Sequence, residues 1–262
     1  MSEQTVFKRY EMKYMVTKSQ QRIIKNAMEE HMIPDIHGQS TIYSLYFDTP
    51  DHLLVRRSLE HPVYKEKLRL RSYGKCTPES QVFLELKKKY DSVVYKRRVS
   101  MTEADAEKYL YFSIPFQGEN YTDRQIFQEI DYARNLYQDL APSILLTYHR
   151  MAFYDRENAD FRVTFDQNIL WRDYDLSLCK GIYGKELLPR DTVLMEVKSA
   201  GAIPLWFVDI LSENHFYKQN FSKYGTAYQI RLREQAYQAK IKEHSCKTNI
   251  KELTKEGFYH YA

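Results

Sequence analysis

The chain has few of the features that mark secreted, disulfide-bonded or membrane-spanning proteins. Its three cysteines, Cys76, Cys179 and Cys246, lack the spacing of metal ligands and of a disulfide framework, which favours a reducing compartment. No run of 18 apolar residues occurs, and residues 1–14 contain no apolar signal core. We therefore expect a cytoplasmic protein with no transmembrane segment.

A large excess of positive charge is also missing. The 39 Lys and Arg residues are nearly balanced by 35 Asp and Glu residues, so the net charge is only +4. A nucleic-acid-binding domain is expected to carry bulk positive charge and basic patches with stacking aromatics. The balance argues against a nucleic-acid partner and means that a basic site must arise from placement in the fold. The eight histidines include no HxH or HxxxH pair, which argues against a zinc site.

The composition provides enough apolar material for a core. Hydrophobic residues make up 43% of the chain, and 23 tyrosines favour strands whose surfaces are partly apolar and partly wet. A length of 262 residues predicts one large domain or two small ones, and no repeat or linker divides the chain. We expect a single domain over 1–245 and a polar, loosely ordered tail over 246–262.

Alternation and composition predict eight strands separated by helical patterns. The strands are expected near 5–15, 41–48, 63–73, 81–89, 93–100, 143–154, 160–168 and 192–199. Helices are expected near 17–32, 102–112, 122–140, 204–214 and 225–244. Thr17 and Thr102 stand where N-cap residues are expected.

One predicted strand carries basic residues at every second position. Lys65, Lys67, Arg69 and Arg71 share one face because successive side chains of a strand point to opposite faces. Neighbours in such a row lie about 6.6 Å apart and repel each other by roughly 2–3 kcal/mol at an effective dielectric of ~20. The row either faces open water, where it is screened, or lies against an anionic ligand.

The same pattern occurs in most of the predicted strands, which have one apolar face and one charged face. The charged faces contain Arg9, Glu11 and Lys13; Glu85, Lys87 and Lys89; Lys96 and Arg98; Arg150; Arg162 and Asp166; and Glu196 and Lys198. A sheet with one wet side explains any single strand, but a wet side would be more mixed in composition. We predict an α+β fold in which a closed eight-stranded antiparallel β-barrel forms a basic tunnel, with helices packed outside. A polyanionic ligand would relieve the repulsion inside it.

Several segments, in order along 5–235, resemble the VTC-type polyphosphate polymerase domain. This domain is a branch of the triphosphate tunnel metalloenzymes, which are CYTH-like. The segments are YEMKYMV, YFDTPDHLL, KLRLRSYG, VFLELKKK, LTYHRMAFYD, RVTFD, LMEVKSAG and FSKYGTA. The resemblance implies a phosphotransferase that moves the terminal phosphate of a nucleoside triphosphate, with ATP as the expected nucleotide, onto polyphosphate or pyrophosphate with Mn²⁺ or Mg²⁺. The resemblance also implies a membrane-protein partner, beside which the protein would act at the inner face of a membrane.

The resemblance and the strand parity together assign the site residues. The catalytic phosphate contacts are Lys13, Arg69, Arg71, Lys87, Arg150, Arg162 and Lys198. Further substrate contacts are Arg9, Lys67, Lys96, Arg98, Ser222 and Lys223, with Ser222 as the cap of a helix. The resemblance implies Glu196 as the metal ligand, and we expect Glu11 or Glu85 to join it. Parity favours Lys96 and Arg98 over Arg97.

Structural roles are alternatives for some of these residues. Glu196 and Lys198 are also suited to an ordinary ion pair, Glu85 to balancing Lys87, and Asp166 to pairing with Arg162. Lys65 and Lys89 stand near strand ends, where solvated lysines are common. Asp48 is expected to shape the turn at Pro50.

Two other functions remain open. Triphosphatase and adenylyl-cyclase relatives are similar in carrying Glu-x-Glu-x-Lys on the first strand, where this chain has Arg9 in place of the first carboxylate. That difference disfavours a triphosphate hydrolase but does not exclude one. A non-catalytic polyphosphate sensor is the third hypothesis.

Overall fold

The computed structural model describes residues 10–60, 62–91, 93–116, 118 and 120–256, including their side chains except at positions 37 and 243–256. The strands are β1 Tyr10–Thr17, β2 Met32–Asp48, β3 Tyr64–Tyr73, β4 Gln81–Tyr90, β5 Val93–Thr102, β6 Ala141–Asp155, β7 Arg162–Arg172, β8 Lys185–Glu186 and β9 Thr192–Ser199. The helices are α1 Lys18–Met28, α2 Leu53–Leu59, α3 Glu103–Phe112, α4 Tyr121–Leu136, α5 Leu205–Glu213 and α6 Lys223–Glu256. The fold is therefore α+β, as predicted.

All eight predicted strands are confirmed, with shifted ends. Thr17 and Thr102 are N-caps, accepting hydrogen bonds from the backbone N–H of Gln20 at 3.2 Å and of Asp105 at 3.1 Å. Helix α2 and the short strand β8 were not predicted, because seven and two residues carry too little periodicity to detect.

The described sheet is antiparallel and open, so the predicted closure of the barrel is wrong. Its order is β1-β9-β7-β6-β2-β3-β4-β5, with β8 paired to β7, and the edge strands β1 and β5 share no backbone ladder within the described residues. The segment before α6 uses the free edge of β1, where the N–H of Gln219 donates to the carbonyl of Lys13 at 2.8 Å. The sheet nevertheless curls, which brings Glu11 of β1 within 3.6 Å of Lys87 of β4.

Three apolar clusters hold the sheet in this shape. One packs β2 to β5 against α3 and α4, and a second packs β1, β7 and β9 against α1 and α5. The third lies on the concave face, where Tyr224, Ala227 and Tyr228 of α6 and Val55 of α2 contact β2, β6 and β7. The concave face is therefore filled by α2 and α6 in one part and left as a polar cavity in the other.

Helix α6 continues well beyond the predicted end of the domain. It reaches Glu256, so the first part of the predicted tail, 246–262, is helical, and 257–262 lie outside the described residues. That the tail is loosely held remains a prediction. In the described part of the chain, no helix combines the length and the apolar character that crossing a membrane requires.

A basic cavity as the candidate active site

The concave face of the sheet encloses a polar cavity of about 520 Å³. Side chains from β1, β2, β3, β4, β6 and β9 line it, together with α2 and the start of α6. Eleven of the lining residues are Lys or Arg and only two, Glu11 and Glu196, are acidic. The fold therefore concentrates positive charge in one site although the net charge of the chain is small. This agrees with the expectation that a basic site must arise from placement in the fold.

Arg69 and Arg71 project into this cavity from β3, and uncharged oxygens help to fix their orientation. The Nη1 of Arg69 donates to the hydroxyl of Tyr46 at 3.1 Å. Arg71 donates from Nε to Ser44 and from Nη2 to the hydroxyl of Tyr148, both at 3.2 Å. Each arginine keeps a further guanidinium nitrogen for which these contacts provide no partner.

Arg150 is held by a buried carboxylate on the opposite wall. Its Nε and Nη2 donate to the two oxygens of Asp166 at 2.6 and 2.7 Å. Lys223 lies 2.6 Å from Asp166 and 2.8 Å from Glu196. Burial raises the pKa of both carboxyls, but Arg150 and Lys223 outweigh it, so both pKa values are lowered and both groups are ionised.

Four lysines form a different group where β3 and β4 pair. Lys65 lies directly opposite Lys89 and Lys67 directly opposite Lys87, all on the face that lines the cavity. We call these four residues the lysine cluster, and Arg69, Arg71 and Arg150 the arginine cluster. The cavity thus contains two basic regions that adjoin along β3.

The cavity brings together most of the predicted site residues. Lining it are Lys13, Lys67, Arg69, Arg71, Lys87, Arg150, Lys198, Ser222, Lys223, Glu11 and Glu196. Ser222 caps α6 as predicted, since its hydroxyl accepts from the N–H of Gly225 at 3.1 Å. Arg162 does not line the cavity: it is exposed at the start of β7 and donates to the carbonyl of Ala159 at 3.1 Å. Arg9 lies outside the described residues.

Glu85, Lys96 and Arg98 face inward as predicted but lie behind the cavity lining. Glu85 is 1% exposed and contacts Arg69 at 2.6 Å, Lys96 at 3.0 Å and Arg98 at 2.7 Å. These cations engage both of its oxygens, so Glu85 holds Arg69 in place rather than presenting a free carboxylate to a metal. Arg97 points to the outer face, where its Nε donates to Glu129 at 2.9 Å. The prediction that Lys96 and Arg98, rather than Arg97, face inward is therefore confirmed.

Two carboxylates fit a divalent cation that arrives with phosphate. Within the described residues no group of three or more His, Cys, Asp or Glu side chains could hold a metal by itself. Glu11 and Glu196 nevertheless line the cavity and are ionised, the pKa of Glu11 falling to about 2 because Lys87 and other lysines outweigh its burial. Mg²⁺ is commonly bound by one or two carboxylates plus substrate phosphates, which these residues match.

Sequence reasoning missed Tyr46, Tyr148 and the true partner of Asp166. Tyr148 shares a face with Arg150, and that parity was the available signal. Asp166 pairs with Arg150, not Arg162, because the β6–β7 register places those two residues opposite each other. The expectation for Asp48 is correct: it accepts the backbone N–H groups of Thr49 and Leu54 at 2.9 and 2.8 Å.

Comparison with protein families agrees with this geometry. The family model described as VTC domain matches residues 8–232. The chain belongs to the VTC domain family. The predicted resemblance is therefore confirmed over most of this VTC domain, including every strand. No curated protein sequence matches it.

Solved structures resemble this VTC domain in fold. A Bacillus halodurans protein named a "putative adenylate cyclase" is 16% identical, with a TM-score of 0.50 over 81% of this chain and 92% of that chain. A Vibrio parahaemolyticus protein with the same name is 12% identical, with a TM-score of 0.46 over 86% of this chain and 99% of that chain. At such low identity the first likeness shows the fold alone.

Proposed function

We propose that this VTC domain is a polyphosphate polymerase that transfers the terminal phosphate of a nucleoside triphosphate, with ATP as the expected donor, onto a polyphosphate chain. The observation that carries this proposal is the arginine cluster inside the basic cavity. Its three guanidinium groups are oriented by Glu85, Tyr46, Ser44, Tyr148 and Asp166 before any substrate enters. The residues predicted at this site support the same assignment.

The arginine cluster suits the donor triphosphate. Phosphoryl transfer depends mainly on positioning and on neutralising the charge that spreads over the equatorial oxygens of the transferred group. Guanidinium groups bind phosphate oxygens in a fixed, often bidentate geometry, and groups oriented in advance lose little entropy on binding. Lys87 and Lys198, which also line the cavity, supply point charges to the outer phosphates.

The acceptor needs no general base from the protein. A terminal phosphate has a second pKa near ~6, so its oxygen is already ionised at neutral pH. Lys223 and Lys13 lie where they can bring that anion close to the donor: Lys223 contacts Glu196, and Lys13 lies opposite Glu196 across the β1–β9 ladder. The protein then contributes alignment and charge neutralisation. A reaction in which one phosphate anion attacks another depends mainly on these two contributions.

Glu196 and Glu11 would hold the Mn²⁺ or Mg²⁺ that accompanies the phosphates. Such an ion supplies neutralisation of charge on phosphate oxygens. Both carboxylates are now paired with lysines, Glu196 with Lys198 at 3.2 Å and Glu11 with Lys13 at 3.2 Å. These lysines would move their contacts to phosphate as the carboxylates turn to the ion. A cytoplasmic location and a membrane-protein partner remain predictions.

The test is to incubate purified protein with ATP and Mn²⁺ and to separate the products by gel electrophoresis. We expect long phosphate chains. Release of free phosphate alone would mean that the protein is a hydrolase. Binding of triphosphate without any turnover would mean that it is a sensor. Glu196→Gln should still bind polyphosphate while chain synthesis falls on the order of a hundredfold, because the carboxylate that would hold the metal ion against the reacting phosphates is lost.

A further inference from the structure

The lysine cluster is an arrangement that a sheet does not tolerate without a reason. Lys65 faces Lys89 and Lys67 faces Lys87 as direct cross-strand neighbours. Like charges in directly opposite positions destabilise a strand pair. Two such pairs in succession, both facing a cavity, place four cations on one small area.

Few anionic groups offset these charges. Within the described residues the only ion pair made by the cluster joins Lys87 and Glu11, 3.6 Å apart. Lys65 donates to the carbonyl of Ser58 at the end of α2, and Lys67 to the hydroxyl of Ser222, both at 3.1 Å. The arginine cluster, by contrast, is held by Glu85, Asp166 and Glu196. The lysine cluster is therefore the part of the cavity in which positive charge is least compensated.

The repulsion and burial in this cluster lower the pKa values of three of the lysines. Burial, with a contribution from the neighbouring lysines, lowers the pKa of Lys67 to about 8, although Tyr46 acts to raise it. Burial and nearby cations also lower the pKa values of Lys65 and Lys87. An anion bound at this place would remove the repulsion between all four residues.

The position of the cluster indicates which anion it binds. Lys67 precedes Arg69 on the same face of β3, so the cluster continues the row of cations that begins at the arginines. Lys65 and Lys89 stand one step further out, beside Tyr64 and Tyr90, which are exposed at the ends of their strands. A linear polyanion whose end lies among the arginines would extend directly over the four lysines.

The chemistry of lysine also differs from that of arginine in a way that suits a moving chain. An ammonium group is a point charge on a flexible stem and imposes no bidentate geometry. A chain that grows by one phosphate must shift by one phosphate after each transfer. Contacts that attract phosphate without fixing its orientation permit that shift, while fixed arginines hold the reacting phosphates.

We propose that the lysine cluster is a subsite for the body of an inorganic polyphosphate chain, adjoining the arginine cluster, with Lys87 at the boundary between the two and Lys65 and Lys89 beyond it. The proposal rests on the proposed function for its role in synthesis, but the binding itself does not depend on turnover. It assigns chain-length selectivity to Lys65 and Lys89 in particular. A short ligand held by the arginines does not reach these two residues, whereas a long chain does.

The test measures binding without nucleotide, by calorimetry, for inorganic triphosphate and for long-chain polyphosphate. In the double variant Lys65→Ala/Lys89→Ala we expect the affinity for long chains to fall roughly tenfold, because two partly exposed charge contacts are lost. The affinity for triphosphate should fall by no more than about twofold, through weakened long-range attraction that salt screens. Lys75→Ala/Lys180→Ala is the matched control, since it removes the same charge at two exposed positions away from the cavity.

Each outcome bears on the subsite separately from the polymerase. Equal losses for both ligands, no loss for either, or an equal loss in the control pair would overturn the subsite. A selective loss of long-chain binding supports it, even in a protein that makes no chains from ATP, which would count against the proposed function alone. Circular dichroism of the double variant confirms that any loss of binding occurs in a folded protein.

Discussion

The two basic clusters of the cavity solve the same electrostatic problem in opposite ways. In the arginine cluster every guanidinium group is held by an acceptor, and the buried carboxylates Asp166 and Glu85 offset its charge. In the lysine cluster the cations face each other, and among the described residues Glu11 is the one carboxylate in contact with them. The first arrangement contributes to the stability of the empty protein, whereas the second reduces it. The difference indicates that one region is built to fix a ligand and the other to attract one.

The largest expected effect comes from breaking an ion pair at the arginine cluster. Arg150→Ala leaves Asp166 fully buried with Lys223 as its one remaining cation. We expect the free energy of unfolding to fall by about 3 kcal/mol, because the buried carboxylate loses its bidentate partner and keeps only part of its compensation. Urea unfolding measures this change. A loss below about 1 kcal/mol, as for an exposed pair, would remove the distinction between the two clusters.

A pH series separates the two clusters in a single protein. Asp166 and Glu85 have lowered pKa values, since Arg150 and Arg69 outweigh the effect of burial. The two ionised carboxylates therefore stabilise the folded protein above about pH 4.3, and this contribution is lost as the pH falls below that value. Lys67 has the reverse effect. Its folded pKa of about 8 lies below the unfolded value of about 10.4, so the unfolded chain binds more protons between them and stability rises with pH.

Unfolding by urea at pH 7.5 and 9.5 checks the basic part of that series. The gain in stability should be larger in the wild type than in Lys67→Met, which has no ammonium group to lose its proton. Identical pH dependence in the two proteins would mean that Lys67 is not under electrostatic strain.

The smallest expected effect is a gain in stability when one lysine is removed. Lys89→Gln keeps most of the side chain and its polarity, and it abolishes the repulsion with Lys65. We expect an increase of about 0.5 kcal/mol, or roughly 1–2 °C in the melting temperature, in buffer of low ionic strength without phosphate. Calorimetry in low and high salt checks this, because screening should abolish the gain. A loss of stability would contradict the account of the cluster.

Local pattern was sufficient to predict much of this site. Parity in each strand placed Lys67, Arg69, Arg71, Arg150 and Glu196 on one face, and the structure shows that they line one cavity. This succeeds because the two-residue period of a strand is a local property that pairing does not alter.

What the sequence could not predict depended on contacts between distant segments. The edge of β1 is contacted by Gln219, which is more than 100 residues from β5, so the openness of the sheet depends on an arrangement that local pattern does not contain. The partner of Asp166 followed from the β6–β7 register, and the exposure of Arg162 from its place at the first position of β7. The role of Glu85 required knowing that three cations from β3 and β5 converge on it.

A crystal structure of the protein with bound inorganic triphosphate, in the absence of divalent metal, tests the central claim most directly. We expect phosphate oxygens within hydrogen-bonding distance of Arg69, Arg71 and Arg150, with Glu85 and Asp166 still in place behind the arginines. Triphosphate bound only over Lys65 and Lys89, or outside the cavity, would contradict it.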